Sequence, residues 1–232
     1  MSFHFDEGEL LLINKPLGWT SFDVVNKVRR ALRVKKIGHA GTLDPLATGL
    51  LILCTGKFTK RINEYQGLEK EYSGRIKLGE TTPSYDLETP VDAVFETAHV
   101  TEELIEQKRL LFLGENEQFP PAHSAKWIGG ERAYHKARRG EDVVMSHKKV
   151  TISSFEISRI EMPFVDFRVV CSSGTYIRSL AYDFGKALGS GAHLVSLCRE
   201  RIGEHRLKNS WELEKFIDFV KKDSLAIPIG GL

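Results

Sequence analysis

One carboxylate, Asp44, stands inside a run of glycines and small residues, Gly38-His39-Ala40-Gly41-Thr42-Leu43-Asp44-Pro45-Leu46-Ala47-Thr48-Gly49. The run ends in an apolar stretch, Leu50-Leu51-Ile52-Leu53-Cys54. Gly38, Gly41 and Gly49 open backbone angles closed to other residues, and Pro45 fixes its own φ, so Asp44 is expected to project from a stiff turn leading into a buried strand. That presentation suits a nucleophilic or basic carboxylate. An isolated Asp-Pro usually only caps a turn, so the assignment depends on the wider pattern. A second chemical feature precedes the loop. Between Lys27 and His39 lie Lys27, Arg29, Arg30, Arg33, Lys35 and Lys36 with no acid among them. A charge run is often just a solvated helix face, but this one leads directly into the Asp44 loop, where phosphate contacts would orient a polyanion over the carboxylate.

The elements that must position these residues can be read from periodicity. Residues 9 to 14 form a short buried strand, followed by a Pro-Leu-Gly turn. A helix from Ser21 to Leu32 then has Thr20 and Asp23 as a capping box. Val24, Val25, Val28 and Leu32 fall on its core face, and Lys27 and Arg30 point elsewhere. Residues 71 to 78 alternate, with Tyr72, Gly74, Ile76 and Leu78 on one face, the pattern of a strand. Residues 150 to 160 and 164 to 171 form a hairpin joined at Met162-Pro163, the second strand aligning Val165, Phe167, Val169 and Cys171. Gly174 permits a tight turn into a helix with Ile177, Leu180, Ala181, Phe184 and Leu188 at helical spacing, and Arg178 starts that helix off the apolar stripe. A last helix is expected from Trp211 to Lys221, capped by Ser210 and burying Leu213, Phe216, Ile217 and Val220. The poorest core-forming region, 115 to 149, is rich in charge and glycine and reads as a mobile insertion.

Composition bounds the chain and narrows the chemistry. The chain has 232 residues, of which 41% are hydrophobic, enough for a sizeable core. No apolar run approaches the ~20 residues of a membrane helix, and the N-terminus lacks the order of a signal peptide, so the expected location is the cytoplasm. Cys54, Cys171 and Cys198 are odd in number and widely separated, without CxxC spacing, which argues for buried reduced thiols and against metal ligands. Net charge is only +2, yet it is unevenly distributed: between Asp86 and Glu117 nine acids meet only Lys108 and Arg109. One surface is therefore basic and another acidic.

The Asp44 segment closely resembles the catalytic-aspartate motif of the TruB-type pseudouridine synthases, and four further blocks match in order. Asn14-Lys15-Pro16-Leu17-Gly18-Trp19-Thr20-Ser21 resembles the opening motif. Lys70-Glu71-Tyr72 falls where the family has the tyrosine that stacks on the target base. Pro120-Pro121-Ala122-His123-Ser124-Ala125-Lys126 is similar to the proline-rich segment before an RNA-gripping insertion, and Ser173-Gly174-Thr175-Tyr176-Ile177-Arg178-Ser179-Leu180 resembles the motif whose arginine pairs with the catalytic carboxylate.

The resemblance implies an α+β fold with a largely antiparallel mixed sheet flanked by helices, in a single catalytic domain over residues 1–232. Residues 115–149 would be its thumb, with no C-terminal PUA-type domain following. It implies isomerisation of uridine to pseudouridine at position 55 in the T-loop of tRNA, without cofactor or metal, by a monomer that binds the T-arm stem-loop. Catalytic roles fall to Asp44, Tyr72 and Arg178. Asp44 either attacks the sugar or assists proton removal from it, and Tyr72 stacks on the flipped base and is a candidate for the later proton removal at the base carbon. Substrate contacts fall to His39, which fills the gap left in the RNA stack, to Tyr176 and Leu197 beside the pocket, and to Lys15, Arg29, Arg30 and Lys126. Thr81-Thr82-Pro83-Ser84-Tyr85-Asp86-Leu87-Glu88 keeps only part of an Asp-rich segment found in many relatives.

Two rival readings remain. An RNA chaperone that opens and refolds the tRNA elbow would need the basic surface but not the carboxylate. An enzyme of the same class acting within a guide-RNA complex would be expected to have an appended RNA-binding domain.

Overall fold

The computed structural model describes residues 4–121, 127–128, 130–141 and 146–226. In chain order they form β1 (Leu10–Lys15), α1 (Ser21–Leu32), β2 (Ile37–His39), β3 (Ala47–Thr55), α2 (Ile62–Gly67) and β4 (Lys70–Leu78). Next come β5 (Glu80–Thr81), β6 (Ala93–Val94), α3 (Glu102–Arg109), β7 (Gly114–Gln118), β8 (Trp127–Ile128), β9 (Glu131–Arg132) and α4 (Ala133–Arg138). The rest is β10 (Lys148–Glu161), β11 (Phe164–Cys171), α5 (Ile177–Ala187), β12 (Ala192–Ile202), β13 (His205–Arg206), β14 (Trp211–Glu212) and α6 (Leu213–Ala226). The chain groups into two compact units, residues 1–70 with 198–232 and residues 71–197.

In the first unit β1 runs antiparallel to β3, from Leu10 opposite Cys54 to Lys15 opposite Gly49. The same strand pairs in parallel with β14, so the sheet is mixed. Strand β3 is buried on both faces, which is why it reads as an unbroken apolar run. Leu51 and Leu53 pack with Leu11 and Ile13 beneath α1 and α6, against Val24, Val28, Phe216 and Ile217. Leu50, Ile52 and Cys54 pack on the other side with Ala40, Tyr65 and Ile202. The capping box forms as its residues dictate: the Thr20 hydroxyl accepts from the Asp23 amide at 3.0 Å, and the Asp23 carboxylate accepts from the Thr20 amide at 2.9 Å.

The last helix departs from the expectation. It starts at Leu213, two residues later than the apolar period suggests, because Trp211 and Glu212 pair with Ile13 and Asn14 as a strand. Ser210 is no cap there; its hydroxyl donates back to the Leu207 carbonyl at 2.7 Å. Cys198 also departs, being only half-buried, whereas Cys54 and Cys171 are buried as expected.

In the second unit the strand order is β4-β11-β10-β7. Strands β10 and β11 form the expected antiparallel hairpin, and β7 lies antiparallel on β10 with Gln118 opposite Lys148. The insertion is therefore narrower than 115 to 149, because residues 114–118 and 148–152 are paired strand. Between them the described residues include the β8–β9 hairpin and α4. Val165, Phe167, Val169 and Cys171 are all buried, and the Phe155 ring meets Phe167 and Phe184 edge-on at 6.0 and 5.5 Å. Gly74 is required by this packing, since a Cβ there would sit 2.6 Å from the Ser196 carbonyl and 2.8 Å from the Phe167 ring.

A comparable close approach ends the Asp44 loop. Gly49 has φ +105°, and a Cβ on it would lie 2.5 Å from the Arg199 carbonyl oxygen and 2.6 Å from its amide nitrogen. Gly49→Ala is expected to cost about 1–3 kcal/mol of stability from backbone strain and overpacking, seen as a lowered Tm. An unchanged Tm would contradict this packing.

Candidate active site

The turn bearing Asp44 is tied at each carbonyl from Gly41 to Pro45. The Gly41 and Thr42 carbonyls accept from the Arg199 guanidinium at 3.1 and 3.4 Å. Leu43 exchanges two hydrogen bonds with the Ser21 hydroxyl, donating its amide at 2.9 Å and accepting through its carbonyl at 3.2 Å. The Asp44 carbonyl accepts from the Ala47 amide at 3.0 Å. The Pro45 carbonyl accepts from the Gly18 amide at 2.8 Å and from the Lys15 ammonium at 3.4 Å. Leu43 and Ala47 are buried on either side while Asp44 itself is half-exposed. Gly41 at φ +95° makes the turn sterically possible.

Lys15 differs from its expected role. Its side chain is fully buried, and its ammonium donates to the carbonyls of Pro16 at 3.0 Å, Trp19 at 2.6 Å and Pro45 at 3.4 Å. It positions two loops rather than reaching out to a substrate. Burial pushes its pKa down to about 8, against the opposing pull of the Asp44 carboxylate. His39 ends β2, half-buried beside the same loop, and burial lowers its pKa as well, with its Gly41 backbone contact acting the other way.

The basic run is split by the fold. Lys27 is paired with Glu214 of α6 at 2.7 Å and lies over the Trp19 ring, so it is engaged within the protein. Arg29 and Arg30 are exposed on the last turn of α1, and Arg33 follows as its left-handed C-cap. Arg30 lies about 14 Å along the helix from Ser21, which touches the Asp44 turn. Lys126 lies outside the described residues.

Tyr72, Tyr176, Arg178 and Leu197 belong to the second unit. Tyr72 is buried near the start of β4, on the face that carries Ile76 and Leu78, and Leu197 is buried on β12. Arg178, 4% exposed in the first turn of α5, donates to the Ser84 carbonyl at 3.0 Å and faces the buried Asp86 carboxylate at 3.6 Å. Tyr85, held at φ +62° in this segment, stacks its ring on Tyr182, one helical turn beyond Arg178, at 4.0 Å. Residues 81–88, which stood apart in the sequence as a departure, thus form the seat of the arginine. Tyr176 is the N-cap of α5 but makes no side-chain cap. The buried Gln118 side chain instead holds Tyr176 itself, accepting from its amide at 2.7 Å and donating to its carbonyl at 2.9 Å. Ser179 adds a bond to the Phe119 carbonyl at 2.7 Å.

Sequence reasoning assigned no role to Ser21, Asp86, Gln118 or Arg199. Asp86 lies in the segment 81–88 already compared with the family and stands amid hydroxyl and apolar neighbours, whereas Arg199, followed by Glu200 and Arg201, carries no such local mark.

The model for the TruB family pseudouridylate synthase N-terminal domain matches residues 29–177. The chain is 56% identical over 217 residues to tRNA pseudouridine synthase B of Flavobacterium johnsoniae, covering 90% of this chain and 95% of that one. It is 53% identical over 229 residues to tRNA pseudouridine synthase B of Parabacteroides distasonis, covering 96% and 97%. Among solved structures, a crystal structure of a Cbf5-Nop10-Gar1 complex contains a chain that superposes with a TM-score of 0.74 at 30% identity. That match covers 95% of this chain but only 57% of the other. The chain belongs to the TruB family of pseudouridylate synthases.

Proposed function

We propose that this isomerase converts the T-loop uridine at position 55 of tRNA to pseudouridine, with Asp44 as the catalytic carboxylate. The observation that carries the reading is the turn from Gly41 to Ala47, whose backbone is tied from four sides around one half-exposed acid. Such preorganisation is costly to build and has no use in a protein that only refolds RNA, which favours catalysis over chaperoning.

The reaction breaks the bond between the sugar C1′ and the base N1, turns the base and joins C1′ to C5. The C5 proton leaves and N1 gains one, so nothing is oxidised or added, and the chemistry calls for no cofactor. What it needs is an ionised carboxylate beside the sugar, and a cation near it in a dry pocket keeps it ionised. We assign that cation to Arg178. The target base must leave its stack at a cost of a few kcal/mol, which an aromatic face offsets. Tyr72 is assigned to stack on the flipped base and to receive the C5 proton, with His39 filling the vacated space in the RNA and Tyr176 and Leu197 supporting the pocket. Exposed Arg29, Arg30 and Arg33 would contact phosphates of the T-arm, with the insertion gripping the same arm.

Asp44→Asn keeps the shape of the side chain and removes its charge. It is expected to abolish pseudouridine formation while leaving tRNA affinity within a few fold; turnover at a tenth of the parent rate would sink the assignment. Neutralising Arg29, Arg30 and Arg33 together is expected to weaken tRNA binding and flatten its salt dependence. The slope of log K against log salt should fall by up to about 0.9 for each phosphate that the variant no longer neutralises. An identical slope would make the run a solvated face only.

A further inference from the structure

Arg199 is 1% exposed and among the largest fully buried side chains, so its charge must be satisfied from within the protein. All of its side-chain hydrogen bonds among the described residues end on backbone carbonyls: Nε on Leu50 at 2.8 Å, Nη1 on Thr42 at 3.4 Å and Nη2 on Gly41 at 3.1 Å. Gly41 and Thr42 precede Asp44 and Leu50 follows it, so a single planar group spans both arms of the turn. Only a guanidinium presents donors in three directions from one rigid plane. Charge-assisted bonds of this kind are roughly twice as strong as neutral ones. The backbone of Arg199 also abuts Gly49, the residue at which no Cβ fits. Strand β12 therefore holds the loop at two levels, by main chain at Gly49 and by side chain at Gly41, Thr42 and Leu50.

We propose that Arg199 is a positioning residue for the isomerisation, setting where the Asp44 carboxylate meets the sugar by fixing the carbonyls on both sides of it. The proposal rests on the reading of Asp44 as the catalytic carboxylate. It differs from a purely structural role in what it makes sensitive. A group that only stabilises the fold lowers Tm and leaves the folded fraction fully active, whereas a misplaced carboxylate binds tRNA normally and turns over slowly.

The test compares the parent with Arg199→Met, Arg199→Lys and Asp44→Asn on an unmodified tRNA transcript, below the Tm of each variant. Steady-state kinetics is measured beside amide hydrogen exchange. Arg199→Met is expected to lower kcat about 100-fold with KM within about threefold, the scale of a displacement near 1 Å. The amides of Gly18 and Ala47, which bond the Pro45 and Asp44 carbonyls, should exchange faster while those of Leu51 and Leu53 stay protected. Arg199→Lys should fall between parent and Met, because one ammonium cannot reach all three carbonyls. A folded Arg199→Met with kcat and loop exchange like the parent overturns the proposal. Should the Met variant not fold, Arg199→Lys decides in the same way: parent-like kcat and exchange overturn the proposal, and a kcat loss at constant KM supports it. Parent-like activity in Asp44→Asn would instead remove the underlying reading, while a dead Asp44→Asn beside fully active Arg199 variants removes this inference alone.

Discussion

A tight turn that lifts one acid out of a buried strand leaves its own carbonyls facing the interior, and each must find a donor. Strand β3 imposes the problem, since both of its faces are packed against apolar side chains. Three side chains from distant parts of the sequence resolve it. Ser21 begins α1, Lys15 ends β1 and Arg199 lies on β12, and all converge on residues 41–45 and the first residues of β3. The capping box that fixes the start of α1 thereby fixes Ser21, and so the loop. Two of the three donors are cations, Lys15 and Arg199, and both spend their donors on carbonyls of this turn and the strand it enters.

The second unit follows the same logic with different residues. Helix α5 lacks a side-chain cap of its own, and Gln118 at the end of β7 satisfies both the amide and the carbonyl of Tyr176. The pairing of β7 with β10 thus also fixes where α5, and Arg178 with it, begins. Around that arginine, the 82–89 turn is knit by hydroxyls: Thr82 and Ser84 both donate to the Asp86 carbonyl, and Ser84 and Thr89 bond each other. Rigid placement of a buried guanidinium comes from this turn as much as from the helix.

Local patterns in the sequence were enough to place α1, β4, the β10–β11 hairpin and α5, because each rests on a period of 3.6 or 2 and a nearby cap or turn. Errors arose where a remote partner overrode the local pattern. Trp211 and Glu212 look like a helix start but pair with β1, and 114–118 looks like loop but pairs with β10. At the site, the Asp44 turn with Gly41 and Gly49 was legible because turn chemistry is local, whereas Gly38 lies in β2 with no positive φ. Nothing in Asn-Lys-Pro announces that the Lys15 ammonium turns inward onto three carbonyls. Asp86, Gln118 and Arg199 act on residues 58 to 158 positions away, a relation visible only once the chain is folded. Resemblance supplied the roles of Tyr72 and Arg178, which no periodicity could.

The central claim, that a rigidly held acid isomerises one uridine of the T-arm, is tested most directly by mapping pseudouridine in unmodified tRNA after incubation with the purified protein. Mass labelling specific for pseudouridine, followed by fragment sequencing, reads both the product and its place. The account predicts one modified residue per tRNA, at the T-loop uridine, formed without added metal or cofactor. Unmodified tRNA after prolonged incubation, or pseudouridine only outside the T-loop, would contradict it.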